Sequence, residues 1–324
     1  MKRKIIVLSN LLEFTDAQWN MINQNPGLEL IYKHSKELTE EDYQEAVAVI
    51  GNTSPERLKK FPNLEWVQLY SSGTNGYTEE GALKAGVRLT NATGSYGVAI
   101  AEHMLGQTLM LQKKFNLYMD KQRNEDFTIE KVGLKSIYGS TFIIVGYGDI
   151  GTAYGKAIKS LGGYVIGIKR NVYGDEQHAD EVYAIEELDS VLGRGDVVAT
   201  VVPGTLETFQ LFNASRFRKM KDGAIFLNVG RGTAVDLNAL CDALEIGKLS
   251  GAHLDVTDPE PLPKGHRAWK APNLVITPHV SGNFYTEDTY NRFLEILRQN
   301  LENFSQNKSL INEVDFQTGY KKRT

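Results

Sequence analysis

Short apolar runs alternate with polar, helix-like stretches along nearly the whole chain, and this alternation constrains the fold more than any other feature. In the first hundred residues the strand candidates are Ile5–Leu8, Leu28–Tyr32, Val47–Ile50, Leu64–Leu69 and Val87–Leu89. Segments such as Glu56–Phe61 and Glu79–Ala85 lie between them and predict helices. A second series begins at Thr141. Its strands are expected at Phe142–Val145, Tyr164–Ile168, Val182–Ala184, Asp196–Val202, Ala224–Val229, Gly251–Val256 and Leu274–Thr277. Such alternation predicts parallel sheets with crossover helices, hence an α/β fold. Between the two series, Val98 to about Tyr118 is apolar on most faces (Ile100, Ala101, Met104, Leu105, Leu109), which predicts one long buried helix, expected between two domains. Residues 119–137 read as an exposed connection. The last helix, Glu287–Phe304, carries Tyr290, Phe293, Leu294, Leu297, Leu301 and Phe304 at helical spacing, with Glu287 and Asp288 in its first turn.

Composition narrows the class of protein. A chain of 324 residues suggests about two domains. Its 36 Lys and Arg against 40 Asp and Glu give a net charge of −4, no global reason for a nucleic acid or an anionic membrane as partner. One cysteine, Cys241, excludes an intrachain disulfide and a thiolate zinc site, and no metal is expected. The apolar run Ile5–Leu8 is too short for a signal peptide, and no stretch reaches the roughly 20 apolar residues of a spanning helix. A soluble, cytoplasmic protein is expected. The tail Lys321-Lys322-Arg323-Thr324 reads as a frayed terminus.

Gly146-Tyr147-Gly148-Asp149-Ile150-Gly151 matches G-x-G-x-x-G. Glycines at this spacing are common, but here they follow the run Phe142–Val145 and precede a helical pattern at Ile150, Ala153, Tyr154, Ala157, Ile158 and Leu161. Tyr164–Ile168 then completes the βαβ unit that dinucleotide binding requires. In this reading Gly146 permits the tight turn, Gly148 lets backbone approach a pyrophosphate, and Gly151 allows close helix–strand packing. The helix N-terminus offers N–H groups and a positive dipole end to the phosphates. NAD sites place an Asp or Glu at the end of the second strand to bind the ribose 2′-hydroxyl. This chain has Lys169-Arg170-Asn171 there, cations suited to a 2′-phosphate, so NADP(H) is expected to be preferred with NAD(H) possible. The alternative leaves both cations solvated and lets Asp175 or Glu176 meet the ribose.

Three later segments place functional groups after strands: Asn228-Val229-Gly230-Arg231-Gly232, Leu254 to Leu262 with Asp255 and Glu260, and Thr277-Pro278-His279-Val280-Ser281-Gly282. Ligands of open α/β sheets bind beyond the carboxyl ends of strands. Taken singly, Arg231 is a surface ion pair, Glu260 a solvated acid and His279 a loop histidine. As an ordered set with the glycine loop, they resemble the D-isomer-specific 2-hydroxyacid dehydrogenases. The resemblance spans nearly the whole chain and includes Ala101-Glu102-His103, Val202-Pro203 with Thr208, Met220 to Ile225, and Val235-Asp236.

That resemblance implies a Rossmann-type doubly wound cofactor domain, residues 101–282, inserted in a flavodoxin-like substrate domain, residues 1–100 plus 283–324. It implies that Arg231 binds the substrate carboxylate, that His279 exchanges a proton with the substrate oxygen, and that Glu260 hydrogen-bonds His279. The residue types suit these tasks. Arg holds a carboxylate bidentately and stays charged, and imidazole can serve as acid in reduction and base in oxidation. Asp255, Val229 and Gly230 are expected near the nicotinamide, with Val202, Pro203, Thr208, Ser281 and Gly282 also on the cofactor. Ser72 and Gly73, in Tyr70-Ser71-Ser72-Gly73-Thr74-Asn75, are expected to meet the substrate carboxylate through backbone N–H groups, with Asn75 where the family often has Asp. Tyr96 is expected either to contact substrate or to pack beneath the cleft. Crossings near 97–101 and 281–286 are expected to be hinges, and the protein a homodimer. The implied activity is hydride transfer between NAD(P)H and a small 2-oxoacid, giving the D-2-hydroxyacid, and the reverse. Two alternatives stay open: a nucleotide-sensing corepressor, which would not need Arg231, Glu260 and His279, and a formate-dehydrogenase-like enzyme. With no further domain after residue 305, a phosphoglycerate substrate is less expected.

Overall fold

The computed structural model describes residues 2–129, 133–284, 286–319 and 321–322. Glu130–Val132 of the expected connection, Tyr285 of the expected second crossing, and Arg323 and Thr324 of the tail lie outside the described residues. The chain forms two compact units, Met1–Tyr96 with Phe284–Thr324, and Gly97–Asn283.

The first unit holds β1 (Arg3–Leu8), α1 (Asp16–Ile22), β2 (Leu28–Lys33), α2 (Glu40–Glu45), β3 (Ala46–Ile50), α3 (Pro55–Leu58), β4 (Trp66–Gln68) and β5 (Arg88–Thr90). Its five strands run in the order β2-β1-β3-β4-β5, all paired parallel. This is the flavodoxin-like order, whose crossovers need helices or loops on both faces. Thr15 and Thr39 start α1 and α2 with capping boxes. Glu79–Ala85, expected to be helical, consists of turns instead. Gly76, Gly81 and Gly86 take left-handed φ of 82°, 71° and 88°, which a helix cannot accommodate.

The second unit holds α4 (Gly97–Gln112), α5 (Phe115–Arg123), β6 (Thr141–Val145), α6 (Asp149–Ser160), β7 (Tyr164–Lys169), β8 (Glu181–Ala184), α7 (Leu188–Val191), β9 (Val197–Thr200), α8 (Ala214–Lys219), β10 (Ala224–Asn228), α9 (Leu237–Glu245), β11 (Leu249–Leu254) and β12 (Leu274–Ile276). The chain then returns to the first unit in α10 (Glu287–Ser305). The seven-stranded parallel sheet has the order β12-β11-β10-β9-β6-β7-β8. β6 lies between β7 and β9, so the strand order reverses beside it, as in the doubly wound dinucleotide folds. Its strands are covered on both faces, which is why β10 is buried at every residue. Phe212, Phe217 and Phe226 form an aromatic triangle on one face of that sheet, with centroids 4.8–6.2 Å apart.

The expected single helix from Val98 to Tyr118 breaks into α4 and α5 at Lys114, whose φ is 58°. Lys113 Nζ and Lys114 Nζ are drawn to the carbonyls of Lys135 and Ser250, at 2.7 and 3.1 Å. The following connection is not exposed throughout: Phe127 and Ile129 face solvent, but Ile137 is buried. Among the described residues no helix is long and apolar enough to cross a membrane.

Candidate functional site

The glycine loop is shaped by what its glycines touch. Gly146 has φ of 97°, and a Cβ there would lie 3.0 Å from the backbone of Val201. A Cβ on Gly151 would come within 2.6 Å of the Gly146 carbonyl oxygen. At Gly148 a Cβ would meet nothing within 4 Å, so this residue faces open space. The first N–H groups of a helix such as α6 have no intrahelical acceptor. Two glycines demanded by packing and one turned to open space before a helix N-terminus make a cradle that fits a dinucleotide pyrophosphate. The Asp149 side chain lies against Gly97, the first residue of α4. Tyr147 is buried under the loop. Only glycine leaves room for it at Gly155 and Gly167, where a Cβ would fall 2.5 and 2.7 Å from its side chain. Its hydroxyl donates to the Gln177 carbonyl at 2.8 Å, tying the glycine loop to the segment after β7.

That segment departs from the simple picture of solvated cations. Lys169 Nζ lies 2.9 Å from Glu176 Oε1, and the Glu176 side chain is only 4% exposed. Glu176 also accepts from the N–H groups of Tyr173 and Gly174, at 2.8 and 2.9 Å. Burial opposes its ionisation, but Lys169 and these donors hold its pKa down at about 2. Glu176 is therefore an ionised brace for the loop, and Lys169 is its partner.

Beyond β9, Val202 is buried and the Thr208 hydroxyl donates to the Pro203 carbonyl at 2.6 Å, closing the turn. Beyond β10, the buried Asn228 holds the next turn at both ends. Its Oδ1 accepts from Gly230 N at 3.0 Å and its Nδ2 donates to the Arg231 carbonyl at 2.9 Å. Val229 is buried, and a Cβ on Gly230 would meet the Val202 carbonyl oxygen at 2.5 Å. Arg231 is mostly enclosed. Its Nη1 donates to the Gly230 carbonyl at 2.7 Å, and among the described residues no carboxylate pairs with it. Burial lowers its pKa, opposed by the charge of Glu260.

Asp255 follows β11 and is 1% exposed. Its Oδ1 accepts from Thr277 Oγ1 and from Val280 N at 3.0 Å. Its Oδ2 accepts from Ser281 N at 3.0 Å and Ser281 Oγ at 2.5 Å. A carboxylate has about four acceptor positions, and all four are filled from the loop after β12. Burial raises the pKa of this carboxyl, yet the donors of Ser281, Thr277 and Val280 leave it lowered on balance. Asp255, expected beside the nicotinamide, thus spends its oxygens on organising the loop through Gly282. His279 sits in that loop at φ of 52°, with its N–H bonded to the Asp255 carbonyl at 2.8 Å. Its Nδ1 lies 2.7 Å from Glu260 Oε1, and both side chains are nearly half exposed.

Behind this loop, His103 Nε2 and His253 Nε2 are 3.3 Å apart, and Thr277 Oγ1 lies 3.0 Å from the latter. Burial pushes the His253 pKa down to about 3, helped by His103 and opposed by Asp255. His103 shifts the same way, again through burial. His103, His253 and Asp255 hold donor atoms within 4.8 Å of one another, a clustering that the expectation of no metal site did not include.

In the first unit, the Ser72 carbonyl accepts from Asn91 Nδ2 and the Gly73 carbonyl from Ser71 Oγ, both at 2.8 Å. Tyr96 is buried, donates its hydroxyl to the Tyr70 carbonyl, and packs on Phe284 at 5.3 Å between centroids. Its hydroxyl is therefore committed to the turn at Tyr70.

Comparison with known proteins decides the family. The family model for the NAD binding domain of the D-isomer specific 2-hydroxyacid dehydrogenases matches residues 105–281. A hydroxypyruvate reductase of Blautia hydrogenotrophica is 31% identical over 323 residues, covering 93% of this chain and 96% of that protein. The chain belongs to this family. A glyoxylate reductase of Thermofilum pendens is 32% identical, covering 74% of this chain and 71% of its own length. A solved D-isomer specific 2-hydroxyacid dehydrogenase family protein from Aeromonas salmonicida superposes with a TM-score of 0.84 at 30% identity, covering 98% of this chain and 100% of that one. As a D-isomer specific 2-hydroxyacid dehydrogenase, the protein is an NAD(P)-dependent oxidoreductase.

Within the dehydrogenase's second unit, Arg231, Asp255, Glu260, His279, Ser281 and Gly282 follow the carboxyl ends of β10, β11 and β12, on the strand ends that also carry the glycine loop. Sequence reasoning passes over Tyr147, Asn228, His253 and Thr277. Tyr147 has a faint signal in Gly155 and Gly167. His253 has one as well, a lone polar ring inside the apolar run Gly251–Leu254.

Proposed function

We propose that this dehydrogenase reduces a small 2-oxoacid to the D-2-hydroxyacid, with NADPH preferred over NADH. The observation that carries the reading is the His279–Glu260 hydrogen bond within electrostatic reach of the enclosed Arg231. A guanidinium held by one backbone carbonyl, with no carboxylate partner among the described residues, suits an incoming substrate carboxylate in bidentate contact. His279 donates a proton from Nε2 to the 2-oxo oxygen, while Glu260 fixes the ring through Nδ1. The reduced nicotinamide, when bound, supplies the hydride for the carbonyl carbon. Ser72 and Gly73 meet the carboxylate through their N–H groups, their carbonyls being committed to Asn91 and Ser71.

In this reading the first unit binds substrate and the second binds cofactor, and residues 97–101 and 281–286 act as hinges. Arg170 is the cation assigned to a 2′-phosphate, with Lys169 held by Glu176 beside it. The protein acts as a cytoplasmic homodimer, and the exposed Phe127, Ile129 and Leu134 are apolar surface for the partner copy. Sedimentation of the purified protein tests that state.

The deciding experiment measures kcat/KM for glyoxylate, hydroxypyruvate, pyruvate and bulkier 2-oxoacids with NADPH and with NADH. Turnover of at least one 2-oxoacid with the higher value for NADPH is expected. A clear NADH preference overturns the cofactor assignment. Cofactor binding without turnover of any 2-oxoacid favours a nucleotide sensor, and oxidation of formate with NAD+ as the only turnover favours the formate-dehydrogenase-like reading.

A further inference from the structure

The cluster behind the His279 loop has a geometry that hydride transfer does not use. His103 Nε2 and His253 Nε2 are 3.3 Å apart, and their ring centroids 5.1 Å. In a straight N–H···N bond of that length the centroids would be about 5.6 Å apart, since each nitrogen lies about 1.15 Å from its ring centre. The shorter spacing means that the contact is bent, as it is when two nitrogen axes converge on a shared point. For a symmetric pair that point lies about 2.1 Å from each nitrogen and the axes meet at about 100°, close to zinc–imidazole lengths and a tetrahedral angle. Thr277 Oγ1 closes the triangle, 3.0 Å from His253 Nε2 and 3.5 Å from His103 Nε2. Donors around a tetrahedral zinc ion are themselves about 3.3 Å apart.

The polar groups around the triangle agree with this arrangement. The Thr277 hydroxyl gives its proton to Asp255 Oδ1, so its oxygen lone pairs are turned to other partners. Asp255 adds a negative charge just outside the three donors. His253 is wholly enclosed.

We propose that His103, His253 and Thr277 bind a divalent transition metal of the zinc class, with Asp255 orienting the Thr277 hydroxyl and offsetting the cation's charge. Two imidazoles select zinc, cobalt, nickel or copper over magnesium and calcium, which favour all-oxygen sets. The carboxylate–hydroxyl–metal arrangement follows the general pattern in which an outer group fixes a ligand's orientation. The ion joins α4 and β11 to the loop that carries His279, and so stiffens that loop from behind. The site is independent of which oxoacid the enzyme reduces.

The test titrates chelator-treated full-length protein with Co2+ and reads the visible spectrum. Zn2+ competition follows, and bound metal is counted by elemental analysis after buffer exchange. About one equivalent is expected, with the intense bands of four-coordinate cobalt that Zn2+ abolishes. The bands should vanish in His253→Gln and His103→Gln and persist in His178→Gln, an exposed control. Zn2+ should raise the Tm of the wild type and of neither cluster variant. No uptake at micromolar metal, or only the weak spectrum of six-coordinate cobalt, overturns the proposal without any variant. Unchanged bands in a cluster variant with wild-type circular dichroism overturn it equally. If a Gln variant does not fold, His253→Leu, of similar volume and without a ligand atom, takes its place with the same two outcomes.

Discussion

The glycine loop and the His279 loop both follow parallel strands of one sheet, yet they are built by opposite means. The first is made of absences. Gly146 and Gly151 are required because a Cβ would strike backbone 3.0 and 2.6 Å away, and Gly148 leaves a face open. The second is made of satisfied polar groups, with Asp255 filling its four acceptor positions from Thr277, Val280 and Ser281 and so holding His279 at a left-handed φ. A site made by steric exclusion leaves its mark in residue type and spacing. A site made by hydrogen bonds between distant segments leaves only isolated polar residues.

The largest expected effect strikes the chemistry of the second loop alone. His279→Gln should lower kcat for oxoacid reduction roughly 100- to 10,000-fold, while cofactor Kd, read by fluorescence titration, stays near wild type. A matching loss of cofactor binding would mean that the two loops are not separable. Asp255→Asn comes next, because it removes the charge and offers an NH2 where donors already point. It should cost about 2–4 kcal/mol of stability in denaturant melts and lower kcat. Full retention of both would show that the four hydrogen bonds do not organise the loop.

The glycine loop should respond in a contrasting way. Gly151→Ala forces a Cβ against the Gly146 carbonyl and should cost about 1–3 kcal/mol of stability. Gly148→Ala meets nothing within 4 Å and should leave Tm near wild type while weakening cofactor binding by about tenfold or more. Equal Tm losses in both variants would break the assignment of one glycine to packing and the other to the ligand.

The smallest effect on catalysis belongs to Glu176, whose loss is read in stability. Its pKa is depressed to about 2 from an ordinary 4.5, so its contribution to stability is present above about pH 4.5 and is lost as pH falls through about 2. Glu176→Gln should therefore flatten the acid limb of stability in that window, and an unchanged limb would remove the brace from the comparison.

Much of this was legible beforehand because parallel strands buried on both faces must be largely apolar, as Phe142–Val145 and residues 224–227 are. Spacing was less informative where a single residue decides the path. Lys114 breaks the long helix without a Gly or Pro to announce it, and Gly81 turns a helical pattern into a bend. The cations at the end of β7 were visible, but not that Glu176, seven residues away, holds one of them.

By itself, the sequence determined the α/β class, the dinucleotide loop and the order in which Arg231, Asp255, Glu260 and His279 follow strands, because periodicity and forbidden Cβ positions act locally. Only the tertiary structure decided the partners: that Asp255 serves the His279 loop, that Tyr147 fills the space left by Gly155 and Gly167, and that His103 meets His253. Those pairings join residues as many as 150 positions apart, and their energies come from burial and hydrogen bonding that exist only once the sheet has brought the strands together.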